Sequence, residues 1–167
     1  MSQSEQNLRE AFAGESQANR KYSVFADKAK EEGYEQVARL FRAASLAEAF
    51  HARNHLRALK GIGPTAENLR AAISGENYEH TSMYPGFIDQ AKGEGEREAQ
   101  VSFDWALKVE RIHEGLYKRA LEGIQSGKDM VPADMWVCGR CGNTLEGGPP
   151  DQCPICGVPK SMFVAID

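Results

Sequence analysis

Two features of the chain could bind metal. Glu48-x-x-His51 and Glu110-x-x-His113 each set a carboxylate and an imidazole one helical turn apart, and Glu76-x-x-Glu79 does the same with two carboxylates. Glu15 adds a further acid at a comparable position. A buried, unpaired carboxylate is costly, so several of them on otherwise apolar helix faces call for a compensating cation. Glu-x-x-His from two helices, with glutamates from the other two, is the donor pattern of a two-metal carboxylate bundle. The second feature is Cys138-Gly-Arg-Cys141-Gly and Cys153-Pro-Ile-Cys156-Gly. Four thiolates so spaced form a tetrahedral site suited to zinc or to a single iron. Gly142 and Gly157 follow each knuckle, where a residue without Cβ permits the turn that aims N–H groups at sulfur.

Four helical stretches must position the acids. Leu8, Phe12, Glu15, Tyr22 and Phe25 share a stripe that ends near Glu32-Gly33, and Val37, Phe41, Ala44, Glu48, His51 and Ala58 share one over Tyr34 to Lys60. Leu69, Ile73, Glu76, Glu79, Met83 and Phe87 follow from Thr65, with a kink expected at Pro85. Phe103, Leu107, Glu110, His113, Tyr117 and Leu121 form the fourth, fading at Gly123 to Gly127. Glu15 and Glu48 are 33 positions apart, and Glu76 and Glu110 are 34 apart. Two hairpins about Gly33 and Gly95 thus bring each pair to one depth, which is a cryptic repeat. His55 reads as a supporting or partly exposed residue and His80, off the stripe, as a surface one.

From about Val131 the helical period disappears and Cys, Gly and Pro dominate. The expected organisation is therefore a helical domain at 1–130 and a small metal-binding domain at 131–167, whose core is too small to be stable without metal. A net charge of −4 with no basic stripe argues against nucleic acid as a partner. The N-terminus lacks the apolar core of a signal peptide, and no apolar run approaches the ~20 residues that span a bilayer. The expected location is cytoplasmic, where paired cysteines bind metal more often than they form disulfides.

The stretch Ala11-Phe12-Ala13-Gly14-Glu15-Ser16-Gln17-Ala18, the Glu76 to Pro85 segment with Met83-Tyr84-Pro85, both Glu-x-x-His motifs and the four-cysteine end together resemble the rubrerythrin family. The resemblance implies a mainly α protein: a ferritin-like four-helix bundle plus a C-terminal rubredoxin-like domain. It implies two irons bridged by Glu48 and Glu110, with Glu15 terminal on one and Glu76 with His113 on the other. Glu79 and His51 would be alternative ligands exchanging with redox state, and Tyr22 and Tyr84 would hydrogen-bond the carboxylates. It assigns iron to Cys138, Cys141, Cys153 and Cys156, where spacing alone admits zinc. The implied activity is reduction of hydrogen peroxide in oxidative-stress defence, with electrons from rubredoxin or an NAD(P)H-dependent reductase. No nucleotide-binding glycine motif is present in the chain itself. A ferroxidase or iron-storage protein of ferritin type is the alternative.

Linker length bears on assembly. Helices of about 25 residues are roughly 38 Å long, and the six residues from Gly61 to Ala66 span at most about 22 Å. The parallel second and third helices of a ferritin-like bundle cannot be joined by that linker. Either the bundle is up-down-up-down, or the first hairpin packs on the second hairpin of another chain; ligand pattern and resemblance favour the swapped homodimer.

Overall fold

The computed structural model describes residues 1–167. The chain divides into two compact units, Met1–Gly63 and Pro64–Asp167.

The first unit is a hairpin of α1 (Gln3–Glu31) and α2 (Glu35–Ala58). Ser2 caps α1 by accepting from the Glu5 N–H at 3.2 Å, while Lys28 and Lys30 complement the negative end of the helix dipole. Gly33 makes the turn at φ +84°, a conformation that a Cβ would strain. Small residues let the helices approach: Ala26, Ala29, Ala38, Ser45 and Ala52 are buried. Asn19 locks the pair, its Nδ2 donating to the Ser45 carbonyl at 2.7 Å, and the Ser45 hydroxyl donates back to the Asn19 carbonyl at 2.8 Å. Val24, Phe25, Val37, Leu40, Leu46 and Phe50 remain exposed.

The second unit opens with α3 (Thr65–Tyr78), a π turn (Glu79–Met83) and α4 (Tyr84–Glu94), and returns along α5 (Arg97–Gln125), which packs against all three. Instead of a simple proline kink, the helix widens by one residue just ahead of Pro85. The Tyr84 N–H donates to the carbonyl of Glu79, five residues back, and Pro85, in the first turn of α4, gives up only an N–H that a helix start leaves unpaired. Gly95 turns the chain at φ +75°, as Gly33 does in the first hairpin.

Beyond α5 come β1 (Met135–Cys138), β2 (Thr144–Glu146), a 3₁₀ turn (Lys160–Met162) and β3 (Phe163–Ile166). The strands form an antiparallel sheet in the order β2-β1-β3, with Trp136 paired to Leu145 and to Ala165. Its core is Cys138, Cys153, Val158 and Phe163, with Trp136, Leu145 and Ile155 packed around them. Half of that core is metal-binding sulfur, so this region depends on its metal as the composition implies. No helix of the chain is long and apolar enough to cross a membrane.

Candidate metal centres

The acids and histidines gather into two matched groups. In the first hairpin, Glu15, Glu48 and His51 bring their ligand atoms within 4.8 Å of one another. His51 Nδ1 lies 2.8 Å from Glu48 Oε2 and 3.8 Å from Glu15 Oε1. In the second, Glu76, Glu110 and His113 do the same, with His113 Nδ1 at 2.8 Å from Glu110 Oε2 and 3.9 Å from Glu76 Oε1. Each group offers imidazole nitrogen and carboxylate oxygen, a donor set that suits iron.

The repeat extends well beyond the ligands. Tyr22, Phe25, Ala29, Gly33, Phe41, Glu48 and His51 recur 62 positions later as Tyr84, Phe87, Ala91, Gly95, Phe103, Glu110 and His113. Gly14-Glu15 recurs after only 61, as Gly75-Glu76. The second copy therefore carries one extra residue between its first acid and its tyrosine, and the π turn at Glu79–Met83 absorbs it. Tyr22 stacks among Phe25 and Phe41 at ring centroid distances of 6.3 and 6.1 Å, and Tyr84 among Phe87 and Phe103 at 6.3 and 6.2 Å.

The second group is the more enclosed. The His113 side chain is 26% exposed, against 54% for His51. Burial, the neighbouring carboxylates of Glu110 and Glu79 and the hydrogen bond with Glu110 push Glu76 up to about 7, although His113 works against them. Burial also raises Glu110, as does the charge of Glu79. The Tyr84 phenol is raised by burial first, then by Glu79, Glu110 and Glu76. Glu79 thus lies close enough to act on all three groups while standing outside the tight ligand cluster.

His113 is also held from behind. Its Nε2 lies 2.9 Å from the Thr144 hydroxyl on β2, and that hydroxyl donates to the Gly142 carbonyl at 3.0 Å. With its proton so committed, Thr144 is left to accept from Nε2, and the contact holds the ring with Nδ1 toward the carboxylates. The four-cysteine region also meets α5 through an Arg119–Glu146 ion pair and through Arg140, whose guanidinium lies 4.9 Å over the Trp105 ring.

The cysteines form the third centre. Cys138 and Cys156 Sγ lie 3.6 Å apart, as do Cys141 and Cys153 Sγ, close to the roughly 3.8 Å edge of a tetrahedron with ~2.3 Å metal–sulfur bonds. Gly142 and Gly157 adopt φ +80° and +75°, as the knuckle requires. Burial opposes ionisation of Cys153, but N–H groups of Cys156 and Ile155 and the neighbouring thiols bring it down to about 7. Buried Asn143 points Nδ2 at the same sulfur from 3.8 Å.

Three residues escaped sequence reasoning. Thr144 has no motif to mark it. Glu114 is buried on α5 and takes Asn77 Nδ2 at 2.9 Å, His80 Nε2 at 2.8 Å and Lys118 Nζ at 2.8 Å. His80, expected at the surface, has a side chain only 13% exposed because Glu114 draws it inward. The signal was present: His80 and Glu114 are 34 positions apart, the same hairpin offset that pairs Glu76 with Glu110.

A helical protein with paired carboxylate–histidine groups and a small four-thiolate sheet domain is a metalloprotein of modular build. The rubrerythrin family model matches residues 6–121, and the model described as "Rubrerythrin, rubredoxin-like domain" matches residues 136–164. The chain is 39% identical to a rubrerythrin of Porphyromonas gingivalis, over 97% of this chain and 89% of that one. Rubrerythrin-2 of Clostridium acetobutylicum is 35% identical, over 95% and 94%. The solved structure of nigerythrin in its mixed-valence state shares 34% identity at a TM-score of 0.56, covering 99% of this chain and 88% of that one. The chain belongs to the rubrerythrin family. With that membership come a carboxylate di-iron site and iron at Cys138, Cys141, Cys153 and Cys156, and the donor sets above fit both.

Proposed function

We propose that this protein reduces hydrogen peroxide to water at its carboxylate site, with electrons received through its rubredoxin-like domain. The observation that carries this reading is the bond between His113 and Thr144, which joins a carboxylate-site ligand to the four-cysteine region. Iron held by these residues would supply the redox chemistry, two electrons for a peroxide at the carboxylate site and single electrons through the four cysteines. Residues 1–130 serve as the peroxidase domain and 131–167 as the electron carrier. The outside donor is a rubredoxin or an NAD(P)H-dependent reductase.

In this reading Glu15, Glu48, Glu76, Glu110 and His113 would hold the two irons, with Glu48 and Glu110 as the shared acids. Glu79 and His51 are alternative ligands; Glu79's place just outside the second cluster suits a group that moves in and out. Tyr22 and Tyr84 donate hydrogen bonds to the carboxylates. The electrostatic influence of Glu79, Glu110 and Glu76 on the Tyr84 phenol supports this for the second hairpin.

Each hairpin holds only part of the donor set and leaves apolar side chains exposed, including Phe25, Leu40 and Phe50 on the first and Phe87 and Val101 on the second. Only six residues separate Ala58 of α2 from Thr65 of α3. Two chains that exchange hairpins would cover these faces and complete two sites, each with Glu15, Glu48 and His51 from one chain and Glu76, Glu79, Glu110 and His113 from the other.

The test is single-turnover peroxide consumption by chemically reduced protein, run beside the Cys138→Ser variant. The variant should lose the red colour of ferric thiolate and donor-linked turnover, yet consume peroxide in the single turnover. Loss of both reactions would contradict the division of labour.

A further inference from the structure

The two hairpins are locked differently, and the difference falls beside the ligands. Ala52, next to His51, is small and buried; its counterpart 62 positions on, next to His113, is Glu114. A carboxylate is costly to bury, so it needs partners. Glu114 finds three, and two of them lie on the helix that carries the extra residue: Asn77 follows Glu76 and His80 follows Glu79.

We propose that Glu114, with Asn77 and His80, is a clamp that fixes the π turn and thereby sets the reach of Glu79; the inference rests on the ligand role proposed above for Glu79. A π turn has a poorer hydrogen-bond pattern than the α-helix and persists where surroundings hold it or function needs it. Here it spans Glu79–Met83, so Glu79 is its first residue and the carbonyl of Glu79 makes its characteristic bond to the Tyr84 N–H. Glu114 grips the chain at Asn77, two residues before the turn, and at His80, inside it. Within that span the Thr81 hydroxyl donates to the Asn77 carbonyl at 2.6 Å. Residues on either side of Glu79 are therefore tied to α5 through their side chains, while Glu79 itself remains outside the ligand cluster. A rigid base with one free carboxylate is what an exchanging ligand needs. The first hairpin has neither the extra residue nor the buried acid, and no second acid of its own follows Glu15 by one turn. Glu114, Asn77 and His80 are positioning residues, because they act through the backbone of Glu79.

The closing experiment has two readouts on the full-length chain. Amide hydrogen exchange is measured on iron-loaded protein in the absence of peroxide, so that it does not depend on any role in catalysis. Glu114→Ala should speed exchange at the Tyr84 amide about tenfold or more, with α1 and α2 unchanged, and Glu114→Gln should restore it to within about threefold. Should Glu114→Ala fail to fold, His80→Ala removes one arm and carries the same expectation. The second readout is the rate at which reduced, iron-loaded protein is oxidised by peroxide. Glu114→Ala should slow it about tenfold, within the ~10–100-fold range of groups that orient metal ligands, and should have no further effect when combined with Glu79→Ala. Unchanged exchange at Tyr84, or effects of Glu114 and Glu79 that multiply independently, would overturn the clamp. A Glu79→Ala variant with full iron and normal oxidation would instead overturn the exchange role of Glu79, and amide exchange would still decide whether Glu114 holds the turn.

Discussion

The first hairpin and the second are two copies of one design, and they differ where chemistry asks for asymmetry. Tyrosine, phenylalanines, turn glycine and Glu-x-x-His recur at a constant offset of 62 positions. Against that background the second copy gains a residue, a π turn, a buried Glu114 and a threonine held behind its histidine. The first copy keeps an unbroken α1, a neutral Asn19–Ser45 lock and a histidine more than half exposed. Duplication supplies two matched sets of possible ligands, and a single insertion sets the second apart.

The largest effects should come from the acids the copies share. If Glu48 and Glu110 bridge, Glu48→Ala and Glu110→Ala should each lower peroxide turnover by more than about 100-fold, beyond the ~10–100-fold typical of residues that merely support a ligand. Equal losses in steady-state assays would sharpen the symmetry, and tolerance of one substitution would break it.

The next effect belongs to the second copy alone. Thr144→Val keeps the shape of β2 but removes the acceptor of His113 Nε2, so ferrous affinity should fall about tenfold while the four-thiolate spectrum stays intact. Titration with ferrous iron under anaerobic conditions measures this. An unchanged isotherm would mean that the orientation of His113 is set elsewhere.

Protons should distinguish the enclosed group as well. Glu76 is raised from about 4.5 to about 7, mainly by burial. A raised carboxylate pKa means that the folded state binds the proton more tightly, so stability is greatest below about 4.5 and is lost as pH rises through about 7. Protein that keeps the metal on its four cysteines but none at the carboxylate sites should melt higher at pH 5 than at pH 8, and Glu76→Gln should flatten that difference. A melting temperature that rises over this interval in a manner dependent on Glu76 would reverse the sign and contradict the burial of the acid.

The smallest effect is expected at the lock of the first hairpin. Ser45→Ala removes its hydroxyl bonds and should cost about 1 kcal/mol in urea unfolding without altering iron content.

Much of this was legible from the sequence because ligand spacing is a helical property. The inward acids, the hairpin offsets of 33 and 34 and the cysteine knuckles each reflect a fixed rise per residue or a fixed coordination geometry. Helix ends followed too, since Gly33 and Gly95 mark turns that need positive φ. The π turn was hidden, because Pro85 offered a simpler account of a break and a one-residue insertion shows only when the copies are aligned. Glu114 and His80 were hidden because charged residues off an apolar stripe are ordinarily solvated, and only tertiary pairing reveals them as partners. Thr144 was invisible for a related reason: its role depends on how the sheet region meets α5, which no local pattern encodes.

The measurement that bears most directly on the central claim, that each site is assembled from unlike halves, is complementation. Protein carrying Glu15→Ala and protein carrying Glu110→Ala are unfolded, mixed and refolded together, then assayed for peroxide reduction. With exchanged hairpins, one site of each mixed dimer collects both defects and the other is intact, so about a quarter of wild-type activity should return for random pairing. If each chain supplies all the ligands of its own site, every site keeps a defect and the mixture will be as inactive as its components.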